Sequence, residues 1–553
     1  MISKRIQLLK KKFSKHNIDG YIVPKNDEFF SEYATQDRLK NISNFTGSAG
    51  LAIITKRKNL LFVDGRYTIQ AHEQSGKQFK IIKIHKFLPY KIIKNITLGF
   101  DPSLFTYKQL SIYFKKSIKL KPINNNLIDE IYKSRNLKNK PFYSVNDKII
   151  GESTKSKINK ITSVLKKNKS DYIFISAPEN VAWTLNIRGH DNPNSPVPNS
   201  RLIIGRNKKV YLIAEKKKVS KIIINGKIRK KNVIDPKKFS NLICSLKGNK
   251  FIIDSISCSV LNENIIKSKF QIINRNDPCY NLKSIKNSNE INLMEKAHIE
   301  DGVALTKFIY WMKNKKKTNL SEIDAQNKLE KFRKLNNNYL FPSFNTIAGT
   351  GSNGAIVHYR ATKKSNKVIK RKDIFLCDSG GQYNYGTTDV TRTLCFGNQP
   401  ILIRNIFTKV LKGHIAVFNT NLSKFDVGEK IDIRARKFLK QDGLDYAHGT
   451  GHGVGFFLNV HEGPQAISKF NKVKLKEGMI ISNEPGFYKK NHFGIRIENL
   501  IYVKKFKKKL FFKNLTLAPI DKELINYNLL NKDEKNYLFK YHLEVYSKLS
   551  KYL

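Results

Sequence analysis

The 553-residue chain holds no apolar run approaching the ~20 residues that a membrane-crossing helix requires, so a soluble protein without a membrane partner is expected. Cysteine is sparse. Cys244, Cys258, Cys279, Cys377 and Cys395 are five in number and none stands in a CxxC pair, which argues against a disulfide framework and a thiolate zinc site and suits a reducing cytoplasm. The opening MISKRIQLLKKKFSKHNIDG lacks the apolar stretch and small-residue cleavage site of a secretory leader. It reads instead as an amphipathic helix with Ile6, Leu8, Leu9 and Phe13 on one face. Acidic residues are scarce as well: 44 Asp+Glu against 103 Lys+Arg leave a formal charge of +59. Such a charge raises the question of nucleic acid, but zinc-finger, bZIP and RNP patterns are all missing. The lysines are also dispersed, as in Lys10 to Lys12, Lys216 to Lys218, Lys315 to Lys317 and Lys507 to Lys509. A general lysine drift over the surface explains them, and no specific nucleic-acid partner is expected.

The length exceeds what one hydrophobic core sustains, so two to four domains are expected. The stretch DGYIVPKNDEFFSEY…NISNFTG (19 to 47) is paralleled by DYIFISAPENVAWTLNIRG (171 to 189), and LAIITKRKNLLFVDG by RLIIGRNKKVYLIAE. Each pair reads as a strand, an aromatic helix and a two-strand ribbon, hence two related α/β domains in tandem with a boundary near 144 to 160. Arg66 in DGRY and Arg188 in NIRG are read as ordinary surface or interdomain ion pairs, and HDNPNSPVPNS as a connecting loop. From about Tyr280 the texture is helical, with Met294 and Trp311 as core residues and Ser321 capping a second helix. It then turns to short strands up to Val503. The tail regains helical spacing and carries Tyr527, Tyr537, Phe539, Tyr541 and Tyr546, read as core or dimer contacts.

Chemistry concentrates between Asp378 and Glu498. Asp378 ends the apolar run IFLC, Asp389 sits among β-branched residues in TTDVTRT, His452 lies in HGTGHGVG, Glu484 in SNEPGFY and Glu498 in GIRIENL. The two aspartates, eleven residues apart, project into one site if their strands pair across the turn-rich GGQYNYG. Period-two alternation places Ile495, Ile497, Ile501 and Val503 on one strand face and Arg496 and Glu498 on the other. Four carboxylates gathered together demand a counter-charge. Oxygen ligands with a single imidazole suit Mn, Co, Fe or Zn, and two divalent ions would cancel the charge and acidify a water for hydrolysis. HGTGHGVG is too rich in glycine to be a zincin helix. His358 in IVHYR and His461 in NVHEGP follow apolar runs, where a lone histidine is as a rule structural, although their company here favours function.

The runs HYR, DSGGQYNYGTTDVTRT, HGTGHGVGFFLNVHEGP, SNEPGFY and FGIRIEN resemble the pita-bread-fold metallopeptidases, the family of methionine aminopeptidase, prolidase and aminopeptidase P. More narrowly, they are similar to the long, three-domain cytosolic type of aminopeptidase P, and the likeness extends to both N-terminal domains and to LTLAPIDKELINYNLL in the tail. The resemblance implies a multidomain α/β and α+β fold. Two related α/β domains, the first of them creatinase-like (1–145 and 146–282), would precede a pita-bread catalytic domain (283–553) whose extension begins near 512. It implies Asp378 as ligand of one metal, Asp389 and Glu498 as bridges, and His452 with Glu484 as ligands of the other, with Mn2+ the usual ion.

A bridging hydroxide would then cleave the N-terminal X-Pro bond while Glu484 also moves the proton. His358 and His461 match histidines that hold the scissile peptide, His448 one beside the proline pocket, and Tyr488 and Arg496 residues around metal and substrate. A cytoplasmic homodimer acting on peptides with proline second is implied. The alternatives are a prolidase, restricted to dipeptides, and a metal-free chaperone or nucleic-acid-binding relative on the same fold.

If the excess charge is only drift, binding to unrelated oligonucleotides, read by fluorescence anisotropy, will weaken steeply between roughly 50 and 200 mM salt and show no sequence preference. A preference that survives the higher salt would overturn the drift reading.

Overall fold

The computed structural model describes residues 2–34, 36–132, 140–314 and 319–553, so the lysine run at 315 to 317 lies outside the described residues. The chain divides into two units, Met1–Tyr280 and Asn281–Leu553. In the first, α1 (Ile2–Lys11) buries Ile6 and Leu9, with Phe13 following in the same core. Leu8 is turned to solvent, because residues one turn apart share a face and Leu8 falls outside that row.

Short β-branched runs between polar turns form β1 (Gly20–Pro24), β2 (Leu51–Thr55), β3 (Asn59–Val63), β4 (Lys80–Lys83), β5 (Ile96–Phe100) and β6 (Ile118–Pro122). They make a six-stranded sheet in the order β4-β3-β2-β1-β5-β6. A second sheet contains β7 (Tyr172–Ile175), β8 (Arg201–Gly205), β9 (Val210–Ile213), β10 (Val233–Ile234), β11 (Lys250–Ile253) and β12 (Gln271–Asn274), in the order β10-β9-β8-β7-β11-β12. Shifting every strand of the first sheet by six positions gives the second, and the pairings agree in direction. The central ribbon is antiparallel in both (β1/β2/β3, β7/β8/β9), and the outer pairs are parallel. The repeated sequence pattern therefore encodes a repeated topology.

Arg66 pairs with Asp64 at 2.7 Å, as an ordinary ion pair should. Arg188 is buried rather than at the surface, and donates to the carbonyls of Ile187 (2.9 Å) and Ala182 (3.4 Å), the latter in the last turn of the helix Pro178–Leu185.

The second unit begins with α2 (Ser288–Asn314) and α3 (Glu322–Lys334). Met294 is fully buried, while Trp311 stays half-buried against Phe308. Ser321 caps α3 in a capping box with Asp324. The strands follow as β13 (Tyr339–Pro342), β14 (Ile347–Thr350), β15 (Phe375–Ser379), β16 (Gly381–Tyr383), β17 (Gly386–Thr387) and β18 (Val390–Leu394). GGQYNYG is thus itself a small hairpin, β16–β17, and not a plain loop. Helices α4 (Ile401–Phe418) and α5 (Gly428–Lys440) lead to β19 (Gly451–Gly453), β20 (Glu462–Ile467), β21 (Ile480–Asn483), β22 (Gly486–Lys489), β23 (Phe493–Arg496), β24 (Asn499–Phe506) and β25 (Lys509–Asn514).

The sheets are β14-β15-β18, β13-β16-β17, β20-β19-β21-β24-β25 and the pair β22-β23. GIRIENLIYV is not one strand: the chain leaves β23 at Arg496 and enters β24 at Asn499. Ile495 and Ile497 consequently join one apolar cluster, and Ile501 and Val503 another. In the terminal helix α6 (Lys532–Leu549), Tyr537 and Tyr541 are core, whereas Phe539 and Tyr546 are exposed.

A close backbone approach fixes Gly494 in β23, since a Cβ there would lie 1.8 Å from the Gly354 carbonyl oxygen. Urea denaturation is expected to show Ser321→Ala costing about 1 kcal/mol and Gly494→Ala the larger loss, because backbone on both sides must move. Equal effects would contradict the packing described for Gly494.

Candidate metal centre

The acidic residues converge because strand pairing leaves them no alternative. Antiparallel β15 and β18 set Asp378 opposite Thr391, and Asp389 immediately precedes β18 at the same end. Asn483 pairs with Asn499 across antiparallel β21 and β24, so Glu484, just after one, and Glu498, just before the other, emerge side by side. The Glu498 amide then donates to Thr391 O (3.1 Å), and Thr391 Oγ1 donates to Glu498 Oε2 (2.7 Å), which brings the two sheets' carboxylates together. His452, in β19, has its amide fixed by Ser482 Oγ at 2.9 Å, and the Glu484 amide donates to Thr450 O at 2.8 Å.

Asp389, His452 and Glu498 each offer a ligand atom, all within 4.8 Å of one another. His452 Nε2 lies 3.5 Å from Asp389 Oδ2 and 3.5 Å from Glu484 Oε1. Asp378 is turned toward Arg496, whose Nη2 donates to Oδ2 at 2.6 Å, while Asp378 Oδ1 is buried without a hydrogen-bond partner. Burial pushes Asp389 up to about 6. Glu498 is held well above the carboxylate range by burial and by the charges of Asp389, Glu484 and Asp378. Burial opposes a charged His452 ring, but the hydrogen bond it donates to Asp389 and the charge of Glu484 outweigh this and raise the ring to about 9. A carboxylate set that draws protons onto itself, with one buried oxygen left orphaned, is chemically suited to divalent cations.

The remaining predicted residues surround this cluster in different ways. His448 Nε2 meets the Tyr488 hydroxyl at 2.9 Å, and Arg496 Nη1 donates to that hydroxyl at 2.5 Å, so His448, Tyr488, Arg496 and Asp378 form one chain. The His461 ring is exposed, with its centroid 4.1 Å from that of His452. His358 follows Val357, whose carbonyl accepts from Arg496 Nη2 at 3.4 Å.

Several supporting residues carry no motif of their own. Fully buried Glu322 accepts from Thr350 N, Lys367 N, Asn353 Nδ2 and the Tyr359 hydroxyl, anchoring the loop that bears His358. On α5, Asp432 accepts from Thr450 Oγ1 (2.6 Å). Arg436 bonds Asp432, Asp445 and the carbonyls of Tyr446 and His448. Their i,i+4 spacing was the one available signal for the role in the glycine-rich loop. Glu462, beside His461, is buried between the ammonium groups of Lys283 and Lys286. A second grouping, Cys395 with Asp521 and Glu523, is already served by Lys313, at 2.7 Å and 3.1 Å from the two carboxylates.

Comparison with known proteins agrees with this picture. Residues 292–505 match the model of metallopeptidase family M24 and 508–553 that of the C-terminal region of peptidase M24. Residues 5–131 and 133–290 each match a creatinase/prolidase N-terminal domain. The chain is 35% identical to a probable Xaa-Pro aminopeptidase P of Coprinopsis cinerea, covering 99% of this chain and 95% of that protein. It is also 35% identical to Xaa-Pro aminopeptidase 1 of Dictyostelium discoideum, over 99% and 93%. Among solved structures, the X-prolyl aminopeptidase of Caenorhabditis elegans, described as a cytosolic enzyme with a di-nuclear active site, superposes with a TM-score of 0.93 at 29% identity. That match covers 100% of this chain and 97% of the other.

His414 on α4 is fully buried, and its Nδ1 donates to Asn483 O (3.1 Å), next to Glu484. Burial, with the charge of Arg392 second, depresses it to about 3 from 6.5. The folded protein thus favours the neutral ring: the stability this provides is present above pH 6.5 and is lost as pH falls toward 3, at up to about 1.4 kcal/mol per pH unit. In His414→Asn, whose amide can still donate to Asn483 O, the decline of the urea midpoint below pH 6.5 will be shallower than in wild type. Parallel profiles would refute the assignment.

Proposed function

Because the chain belongs to metallopeptidase family M24, with two creatinase/prolidase N-terminal domains ahead of the catalytic one, we propose that it is an aminopeptidase that hydrolyses the first peptide bond of substrates with proline second. The observation that carries this reading is the convergence of Asp378, Asp389, Glu484 and Glu498 around one imidazole, His452, with an orphaned Asp378 oxygen and carboxylates forced toward protonation. Asp389 and Glu498 would bridge two divalent ions, Asp378 would hold one of them, and His452 with Glu484 the other. Mn2+ is the first choice, with Co2+, Zn2+ or Fe2+ as substitutes. When bound, such a pair compensates the four negative charges and supplies an acidified water and electrostatic stabilisation for hydrolysis of an amide.

The chain's own residues do the rest. Glu484 Oε1 is occupied by the Ser482 hydroxyl at 3.1 Å, which leaves Oε2, 4.0 Å from His448 Nδ1, to carry a proton to the leaving proline nitrogen. His358 and His461 hold the scissile carbonyl and stabilise its developing negative charge. Tyr488, pushed up to about 12 by burial, stays protonated and fixes His448 while Arg496 holds Asp378. An X-Pro bond has no amide hydrogen, so its recognition relies on shape rather than on an acceptor for that hydrogen. The same reading carries the divisions 1–145, 146–282 and 283–553, a homodimer, and a cytoplasmic location like that stated for the nematode enzyme.

Mn2+-loaded protein should release the first residue from an Arg-Pro-Pro-type tripeptide. Cleavage confined to X-Pro dipeptides would instead make it a prolidase. Asp378→Ala and Glu498→Ala should lose both metal and activity, whereas His461→Ala should keep its metal, read by elemental analysis, and turn over slowly. Fewer than about one ion per wild-type chain, together with tight RNA binding at physiological salt, would favour the metal-free binding role.

A further inference from the structure

The carboxylates assigned as bridges, Asp389 and Glu498, lie on segments that no sheet ladder joins. One precedes β18 and the other stands between β23 and β24. Apart from the backbone bond from Glu498 N to Thr391 O, their register depends on side chains, among them Thr391, Thr393, Arg496 and Arg392. Arg392 is 2% exposed. Its Nη1 donates to Thr391 O (2.8 Å) and Glu498 O (2.7 Å), thereby clamping together the residues nearest both bridges. Nη2 donates to Asn499 Oδ1 (2.8 Å), Ala518 O (2.9 Å) and the Tyr541 hydroxyl (2.8 Å), and Nε to Pro519 O (3.0 Å).

All six of these acceptors are neutral. The guanidinium is therefore used as a planar template with fixed donor directions, not as half of an ion pair. Three of the six, Ala518, Pro519 and Tyr541, belong to the terminal segment. Tyr541 is itself held there, since its hydroxyl donates to Ala518 O at 2.8 Å and accepts from Ala518 N at 3.3 Å.

We propose that Arg392 is a positioning residue of the metal centre, and that residues 515–553 form part of that centre's frame through Ala518, Pro519 and Tyr541. The inference rests on the two-metal reading. A guanidinium deprived of its terminal acceptors can rotate, and the Glu498 carbonyl it holds can then shift, carrying the carboxylate off the position at which it must serve two ions. Groups that orient ligands in this way typically cost about 10- to 100-fold in metal affinity when altered.

The test is calorimetric titration of the full-length metal-free protein with Mn2+ alone, alongside thermal melting and steady-state kinetics. Arg392→Lys should weaken the lower-affinity ion by about 10- to 100-fold, and Tyr541→Phe by less. Saturating Mn2+ should restore kcat with KM unchanged. Tyr537→Phe is the control, because its ring stacks 6.2 Å from that of Tyr541 on the same helix but does not bond Arg392, and it should bind Mn2+ as wild type does. A purely structural role would lower the melting temperature of both tyrosine variants and leave Mn2+ affinity untouched, which would overturn the proposal. If Arg392→Lys does not fold, Tyr541→Phe decides. Wild type that binds no Mn2+ overturns the metal reading and this inference with it, while wild type that binds and Tyr541→Phe that binds equally well overturns this inference alone.

Discussion

Like charges buried together repel, and in the second unit four carboxylates are brought to one place by strands whose pairing cannot be relaxed without exposing apolar residues. Burial raises the cost of ionising Asp389 and Glu498, and each further carboxylate raises it again. The protein's own cations offset only part of this. Arg496 is committed to Asp378 and to the Tyr488 hydroxyl, and His452 is shared between Asp389 and Glu484. The rest of the catalytic unit can be understood as the framework needed to hold that unfavourable arrangement in place until cations relieve it.

The framework is built mostly from buried polar bonds to backbone. Glu322 gathers amides and a hydroxyl to fix the loop of His358. Arg436 does the same with carbonyls for the loop of His448, and Arg392 for the meeting of β18 with Glu498. Lys283 and Lys286 flank Glu462 next to His461. Buried groups of this kind are costly when left unpaired and rigid when satisfied, so each constrains one site-bearing segment strongly. Glycine serves the same end by permitting contact, as where β23 passes the Gly354 carbonyl at Gly494. The N-terminal unit follows different logic: a strand order used twice, with antiparallel ribbons flanked by parallel pairs, in which the arginine of NIRG is a buried tie to the Ala182 carbonyl in the last turn of a helix.

The amino-acid sequence by itself determined the residue types of the centre and their order. Asp378, Asp389, His452, Glu484 and Glu498 stand out because carboxylates and histidine in apolar, glycine-rich surroundings are unfavourable without a purpose. The tandem repeat was equally legible, since alternation and turn residues are local signals. What sequence misjudged was non-local. GIRIENLIYV sets Ile495, Ile497, Ile501 and Val503 in one period-two register, with Asn499 out of step between them, yet the strand breaks at Ile497–Glu498, because Glu498 bonds to Thr391 rather than continuing the ladder. Leu8 and Phe539 carry apolar side chains but face solvent. Arg188, Glu322, Arg392 and Arg436 look like surface charges, because an isolated polar residue does not declare which distant carbonyl or amide it will meet. Only the tertiary structure decided that Arg392 joins the carboxylate site to the terminal helix, 149 positions away at Tyr541, for a hydrogen bond is fixed by separation in space, and no periodicity along the chain records it.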